Sequence, residues 1–136
     1  MKITPENITR LESNQIFVYG SNLAGIHGAG AAKTAYKKFG ATWGRMHGLD
    51  NNTYGIPTKD AKLNVLPLER IQLYVCNFIE DCKVHVDKQF LVTAIGTGLA
   101  GYKAAEIAPL FEQARDLKNI HLPEEFWEIL NEKENK

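Results

Sequence analysis

The chain has 136 residues, 44% hydrophobic and 24% charged, values typical of one soluble globular domain. Sixteen Lys and Arg balance sixteen Asp and Glu, so no net charge attracts the protein to nucleic acid or to an anionic membrane. No apolar stretch approaches the roughly 20 residues that span a bilayer, and the N-terminal residues lack the apolar core of a signal peptide. We therefore expect a single cytoplasmic domain with no membrane partner, and the charge balance argues against nucleic acid as its partner.

The first half of the chain shows clear patterns on both sides of a glycine-rich segment. Thr4-Pro5 resembles an N-cap followed by proline at the first helical position, which predicts a short helical turn. Residues 16–19 form a continuous apolar run typical of a buried strand, and residues 29–39 predict a helix that Gly40 ends. Residues 41–52 indicate only a loop or an irregular hairpin.

The second half predicts further strands and helices in alternation. Because proline lacks the backbone N–H that continues a helix, Pro109 divides the segment after Tyr102 into a first turn and a main helix. The predicted elements are a strand at 53–58, a helix opened by Pro67, a strand at 90–95, a helical turn at 103–107, a helix at 108–117, a short strand at 119–122 and a final helix from Pro123. A charged tail is expected from about residue 131.

This alternation predicts an α/β fold, specifically a three-layer α/β/α sandwich around a mixed, mostly parallel sheet. The two cysteines, Cys76 and Cys82, lie six positions apart on a predicted helix and therefore on different faces, so we expect two buried thiols and no disulfide. His85 and His121 have no metal-ligand spacing with each other or with either cysteine. We predict no metal and no cofactor.

Two glycine-rich turns, each between a predicted strand and a predicted helix, carry the functional signal. The first contains Gly20, Gly25, Gly28 and Gly30, and the second contains Gly96, Gly98 and Gly101. Glycine lets the backbone approach a ligand closely, and a helix N-terminus adds unpaired N–H groups with partial positive charge. Two such turns predict a clamp around a diphosphate.

Two nucleotide-binding motifs match these turns only in part. In the first turn, Gly25 and Gly30 have the spacing of a triphosphatase phosphate loop, but two alanines separate Gly30 from Lys33. The second turn matches the Gly-x-Gly-x-x-Gly dinucleotide fingerprint literally. That fingerprint opens a fold, however, and only 35 residues follow Gly101. A Rossmann-like NAD-binding protein remains an alternative, as does an interaction module whose glycine turns bind no nucleotide.

The pattern and order of both turns resemble the macro-domain superfamily, over about residues 15–117. The first turn has an asparagine, a glycine cluster and an alanine-rich helix start, and the second reads Gly-Leu-Ala-Gly-Tyr before further alanines. The resemblance implies that ADP-ribose binds between the turns. Residues 17–19 lack the aspartate that receives adenine in many members, so the base preference stays open. The adjacent glutamates that mark poly(ADP-ribose) glycohydrolases are also absent, and the chain suggests a divergent, minimal member.

The resemblance implies roles for individual residues. The ligand-binding set is Ser21, Asn22, Gly25, Gly28, Ala29, Gly30, Gly96, Thr97, Gly98, Leu99, Ala100, Gly101 and Tyr102. Asn22, His27 and Asp60 are the candidates for positioning or activating water in an ADP-ribosyl or O-acyl-ADP-ribose hydrolase. The alternatives are a turn-forming Asn22, an exposed His27 without a role, a solvated Asp60 and a Tyr102 packed in the core. Turnover, acceptor chemistry and oligomeric state stay open.

Overall fold

A computed structural model describes residues 2–134 of the chain. The strands are β1 (Gln15–Asn22), β2 (Gly48–Asp50), β3 (Thr53–Lys59), β4 (Gln89–Val92) and β5 (Ile120–His121). The helices are α1 (Gly30–Lys38), α2 (Leu68–Val84), α3 (Ala104–Ile107), a 3-10 helix (Ala108–Ala114) and α4 (Glu124–Glu134). No helix within residues 2–134 is long and apolar enough to cross a membrane.

The five strands form one sheet in the order β2-β3-β1-β4-β5. β1 pairs in parallel with both β3 and β4, and β4 pairs in parallel with β5. Among the described strands only β2 is antiparallel; it forms a hairpin with β3 and falls within residues 41–52, where the sequence indicates only a loop or an irregular hairpin. The sheet is therefore mixed and mostly parallel, which confirms the predicted fold class. The carboxyl ends of β1, β3 and β4 meet at one edge.

The central strand β1 separates two apolar clusters because successive side chains point to opposite faces of a sheet. Ile16 and Val18 belong to the larger cluster, which α2, the 3-10 helix and α4 cover. Phe17 and Tyr19 belong to the smaller cluster, which α1 covers. Helices on both faces make the three layers of the predicted sandwich.

Two local predictions differ from the structure. Thr4-Pro5 starts no helical turn: Ile3 bridges to Leu122, and the Thr4 N–H donates to the Leu122 carbonyl at 2.9 Å, so this segment extends the sheet beside β5. The segment after α3 winds as a 3-10 helix that ends at Ala114, not as an α-helix to residue 117. Because α3 runs directly into this segment, an uninterrupted α-helix would need the N–H that Pro109 lacks.

The ends of two other elements also differ. β4 ends at Val92, three residues earlier than predicted, because the Thr93 hydroxyl donates to the Val18 carbonyl (2.7 Å) and the Ile95 N–H donates to the Thr93 carbonyl (2.7 Å). The chain therefore turns at the sheet edge. α4 continues to Glu134, so the expected charged tail is helical up to that residue, and residues 135–136 lie outside the described part.

Candidate functional site

A cleft of about 520 Å³ lies at the carboxyl ends of β1, β3 and β4. The chain leaves β1 to form β3 on one side and later returns to form β4 on the other, so the cleft opens where the strand order reverses. Open α/β sheets bind ligands at such points. Of the predicted ligand-binding residues, nine line the cleft: Ser21, Asn22, Gly28, Ala29, Gly30, Gly96, Gly98, Leu99 and Ala100.

The N-terminus of α1 forms one wall of this cleft. Lys33 is the first residue of the helix whose N–H reaches back four residues, to the Ala29 carbonyl at 3.2 Å. The N–H groups of residues 30–32 precede it and have no partner within the helix. Ala29 provides no side-chain cap, and the first turn contains no acidic residue. The positive end of the helix dipole is therefore open to the cleft.

The turn between β4 and α3 forms the opposite wall. Its base is closed by hydrogen bonds from the Tyr102 N–H to the Gly96 carbonyl (2.9 Å) and from the Gly101 N–H to the Gly98 carbonyl (3.0 Å). The amides of residues 98–100 donate to no described residue. A Cβ built on Gly30 would lie 3.9 Å from Leu99 Cδ1, so the two walls approach each other.

Most neutral polar side chains of the cleft are bound to the protein's own backbone. The Ser21 hydroxyl donates to the Met46 carbonyl, and the Thr58 hydroxyl donates to the Ser21 carbonyl at 3.3 Å. Asn22 binds Ile26 twice: its Oδ1 accepts the N–H (3.0 Å) and its Nδ2 donates to the carbonyl (2.8 Å). Asn22 is thus a turn-forming residue that closes the first glycine loop. These side chains fix the shape of the cleft.

Lys59 is the sole charged residue among the described residues that line the cleft. It ends β3 beside β1, and no described carboxylate pairs with its ammonium group. The cleft therefore combines one cation with N–H donors from two backbone segments. Lys59 was not among the predicted site residues.

His27 lies elsewhere, and its expected exposure is wrong. The side chain is 2% exposed and packs in the layer of α1, where the rings of Tyr36 and Trp43 lie 5.8 and 5.7 Å from it. Its Nε2 and the Tyr19 hydroxyl are 3.1 Å apart. Burial lowers the pKa of His27 below its usual value, and burial raises the pKa of Tyr19 to about 12. His27 does not line the cleft.

Other predicted site residues also lie outside the cleft lining. Asp60 turns away, and its Oδ1 accepts the N–H groups of Lys62 and Asn64, both at 2.9 Å. The Tyr102 hydroxyl donates to the Leu66 carbonyl at 2.5 Å, and the ring packs against the larger core. The Thr97 hydroxyl donates to the Ala94 carbonyl at 2.7 Å. Gly25 and Gly101 complete this group.

Several lining residues were absent from the predicted site. Thr58 and Thr93 line the cleft because β3 and β4 pair in parallel with β1. The sequence predicts a mostly parallel sheet, but not which strands are neighbours in it. Ile26 and Leu63 are exposed aliphatic residues on loops. Leu63 has a φ of 67°, and no sequence pattern signals this left-handed conformation.

Comparisons with known proteins support the fold and no function. No family model matches the chain, and no curated protein matches it significantly. A solved structure from Bacteroides thetaiotaomicron, described as a protein of unknown function, is similar with a TM-score of 0.61 and 15% sequence identity. The similarity covers 90% of this chain and 94% of that one. At this identity the likeness establishes the shared α/β fold.

Proposed function

We propose that the cleft binds ADP-ribose or a related nucleotide diphosphate. The observation that carries the proposal is that two glycine-rich segments, both with N–H groups that have no acceptor among the described residues outside α1, line one cleft beside Lys59. Such walls suit a diphosphate better than a single phosphate, because each supplies its own set of donors. The resemblance to macro domains, which bind ADP-ribose between two such turns, supports the same ligand class.

The electrostatics of the lining favour an anion. The N-terminus of α1 carries partial positive charge, and Lys59 adds a full one. No Asp or Glu lies among the described lining residues to oppose them. Backbone N–H groups bonded to phosphate oxygens are charge-assisted and therefore stronger than ordinary hydrogen bonds.

The remaining surface of the cleft suits the uncharged parts of such a ligand. Ile26, Leu63 and Leu99 are partly or largely exposed and line the cleft with aliphatic side chains. They offer apolar contacts to a base or a ribose. The volume of about 520 Å³ falls in the range of small-molecule sites. Asn22 is held in place by its two hydrogen bonds to Ile26, which leave one N–H donor and one acceptor lone pair of its amide unused.

The proposal is for binding without a hydrolytic step. His27 is buried in another layer, and the Asp60 carboxylate organises its own loop. A hydrolase requires a group that activates water within reach of the ligand. The described lining residues contain no carboxylate or imidazole in that position.

Isothermal titration calorimetry with ADP-ribose tests the proposal, with AMP, NAD and ribose 5-phosphate as comparators. We expect saturable one-to-one binding that is strongest for ADP-ribose and leaves it intact. Gly28→Glu and Gly98→Glu should abolish binding by placing an anion on each wall. Lys59→Met should weaken binding about tenfold, the usual effect of losing a hydrogen bond to a charged group.

Lys62→Met is the matched control, because Lys62 is exposed on the neighbouring loop and does not line the cleft. It should bind as the wild type does. A preference for intact NAD would favour the Rossmann-like alternative. The absence of heat with every ligand would reject the proposal and favour an interaction module.

A further inference from the structure

The balanced overall charge conceals an uneven distribution along the chain. Residues 13–49 contain four basic residues, Lys33, Lys37, Lys38 and Arg45, and no Asp or Glu. The other 99 residues contain twelve basic and sixteen acidic residues. The basic segment forms β1, α1 and the loop before β2, so its helix and loop cover one face of the sheet.

An exposed aromatic pair lies within this basic segment. Tyr36 on α1 is 43% exposed, and Trp43 on the following loop is 51% exposed. Their ring centroids are 5.3 Å apart at an interplanar angle of 75°, and the buried His27 ring contacts both of them. Large aromatic side chains exposed next to each other commonly mark binding surfaces.

The loop that carries Trp43 is fixed by hydrogen bonds of the residues immediately before and after it, Thr42 and Gly44. Asp50 accepts the Thr42 N–H at 2.6 Å and the Thr42 hydroxyl at 3.1 Å. The Gly44 N–H donates to the Gly25 carbonyl at 2.8 Å. Trp43 is therefore presented to solvent by an ordered backbone, which lowers the entropy lost when a partner binds.

Two lysines flank the aromatic pair on the same side of α1. Lys33 and Lys37 are one helical turn apart, with Tyr36 between them in sequence, and positions at this spacing are neighbours on a helix surface. Neither lysine pairs with a described carboxylate. Lys33 follows the cleft-lining Gly30 by three residues, or roughly 5 Å along the helix axis.

We propose that this surface, formed by Lys33, Tyr36, Lys37 and Trp43, binds single-stranded nucleic acid. The lysines would contact successive phosphates, and unpaired bases would stack on the two rings. An acidic peptide without aromatic or apolar side chains would use the lysines but would have no counterpart for the exposed rings. The proposal does not depend on the nucleotide diphosphate cleft, and it locates a basic surface that the net charge of the whole chain hides.

Fluorescence anisotropy with a labelled 12-residue oligothymidylate tests the proposal on the full chain. Two phosphate contacts to single-stranded DNA predict a slope of about −1.4 for log K against log salt. Lys33→Glu/Lys37→Glu should weaken binding about tenfold or more at low salt and flatten this slope. Lys118→Glu is the matched control, since Lys118 is exposed beside the 3-10 helix on the other face of the sheet, and it should bind normally.

The aromatic contribution requires its own variant. Trp43→Ala should weaken oligothymidylate binding about tenfold, the usual effect of losing one stacked base. It should leave binding of a heparin fragment, which has no bases, unchanged. In a Trp127→Phe background, whose remaining tryptophan is Trp43, the oligonucleotide should quench the tryptophan fluorescence.

Three results would overturn the proposal. The first is no saturable binding of oligothymidylate at 50 mM salt. The second is normal binding by the double lysine variant, which would place the site elsewhere. The third is normal oligothymidylate binding by Trp43→Ala, which would identify a site for polyanions or acidic peptides instead.

Discussion

The two glycine-rich loops look alike in sequence, yet Gly25 of the first loop and Gly98 of the second serve different purposes. In the first loop, Gly25 has a φ of 70°, and a Cβ built there would lie 2.5 Å from the Gly44 carbonyl group. In the second loop, a Cβ on Gly98 would meet no atom within 4 Å. Gly25 therefore allows the first loop to pack closely against the backbone at Gly44, whereas the space beside Gly98, a cleft-lining residue, is empty. What lies opposite a glycine decides whether its missing side chain serves the fold or the ligand.

The largest effect on the fold is expected for Gly25→Ala. The added methyl group meets the backbone of Gly44, which cannot move without breaking its hydrogen bond to Gly25, and the positive φ adds strain. We expect the free energy of unfolding to fall by about 3 kcal/mol. Urea denaturation measures it, with Gly28→Ala as the control because its Cβ meets only the Ile26 side chain at 3.6 Å. Equal stability of the two variants would contradict the distinction.

A smaller loss of stability is expected for Asn22→Ala. The variant removes both hydrogen bonds to Ile26, which should lower the free energy of unfolding by about 1–2 kcal/mol and loosen the first wall. Affinity for ADP-ribose should fall as well. Asn119→Ala is the matched control, since it removes two hydrogen bonds, to the Cys82 and His85 carbonyls, from a residue that does not line the cleft. If Asn119→Ala weakened binding more than Asn22→Ala, the assignment of the cleft would be wrong.

The buried imidazole of His27, within the first loop, predicts a pH dependence of stability. Burial lowers the pKa of His27 below 6.5, so the unfolded chain binds its proton more readily than the folded protein does. Stability from this group is present above pH 6.5 and decreases as the pH falls below it. The pKa of His121 is lowered in the same direction. Thermal unfolding at pH 7.5 and 5.5 should therefore show a smaller decrease for His27→Gln than for the wild type, and identical decreases would contradict the account.

The smallest effect is expected for Gly98→Ala. Its methyl group enters open space, so the free energy of unfolding should change by less than about 0.5 kcal/mol. Chemical denaturation beside Gly25→Ala provides the comparison. A loss of more than 2 kcal/mol would show that the second loop needs Gly98 for packing, as it needs Gly96, whose Cβ would lie 2.8 Å from Ile107 Cδ1.

Local sequence patterns, each within a single strand, helix or turn, predicted most of the fold. The apolar run in β1, the apolar stripe of α2 and the glycine turns after β1 and β4 are local signals, and parallel pairing brings the turns to one edge. β2 was missed because three residues give too short a pattern. The 3-10 helix after α3 shows that Pro109 was recognised as a break while its consequence for helix type was not.

The site was less predictable because its residues depend on distant partners. His27 is buried by Tyr36 and Trp43, whose positions no local pattern around His27 reveals. Lys59 and Asp60 are adjacent in sequence, yet one lines the cleft and the other binds the amides of its own turn. Gly25 was assigned to the ligand because its contact with Gly44 is visible only in the folded chain.

An amide chemical-shift titration with ADP-ribose observes both walls of the cleft at once and shows directly whether one ligand contacts both. We expect the largest shifts at residues 30–32 and 98–100, which line the two walls of the cleft, with saturation at one equivalent of bound ligand. Shifts confined to one loop, or centred on the shallow pocket around residues 9–13, would contradict this expectation.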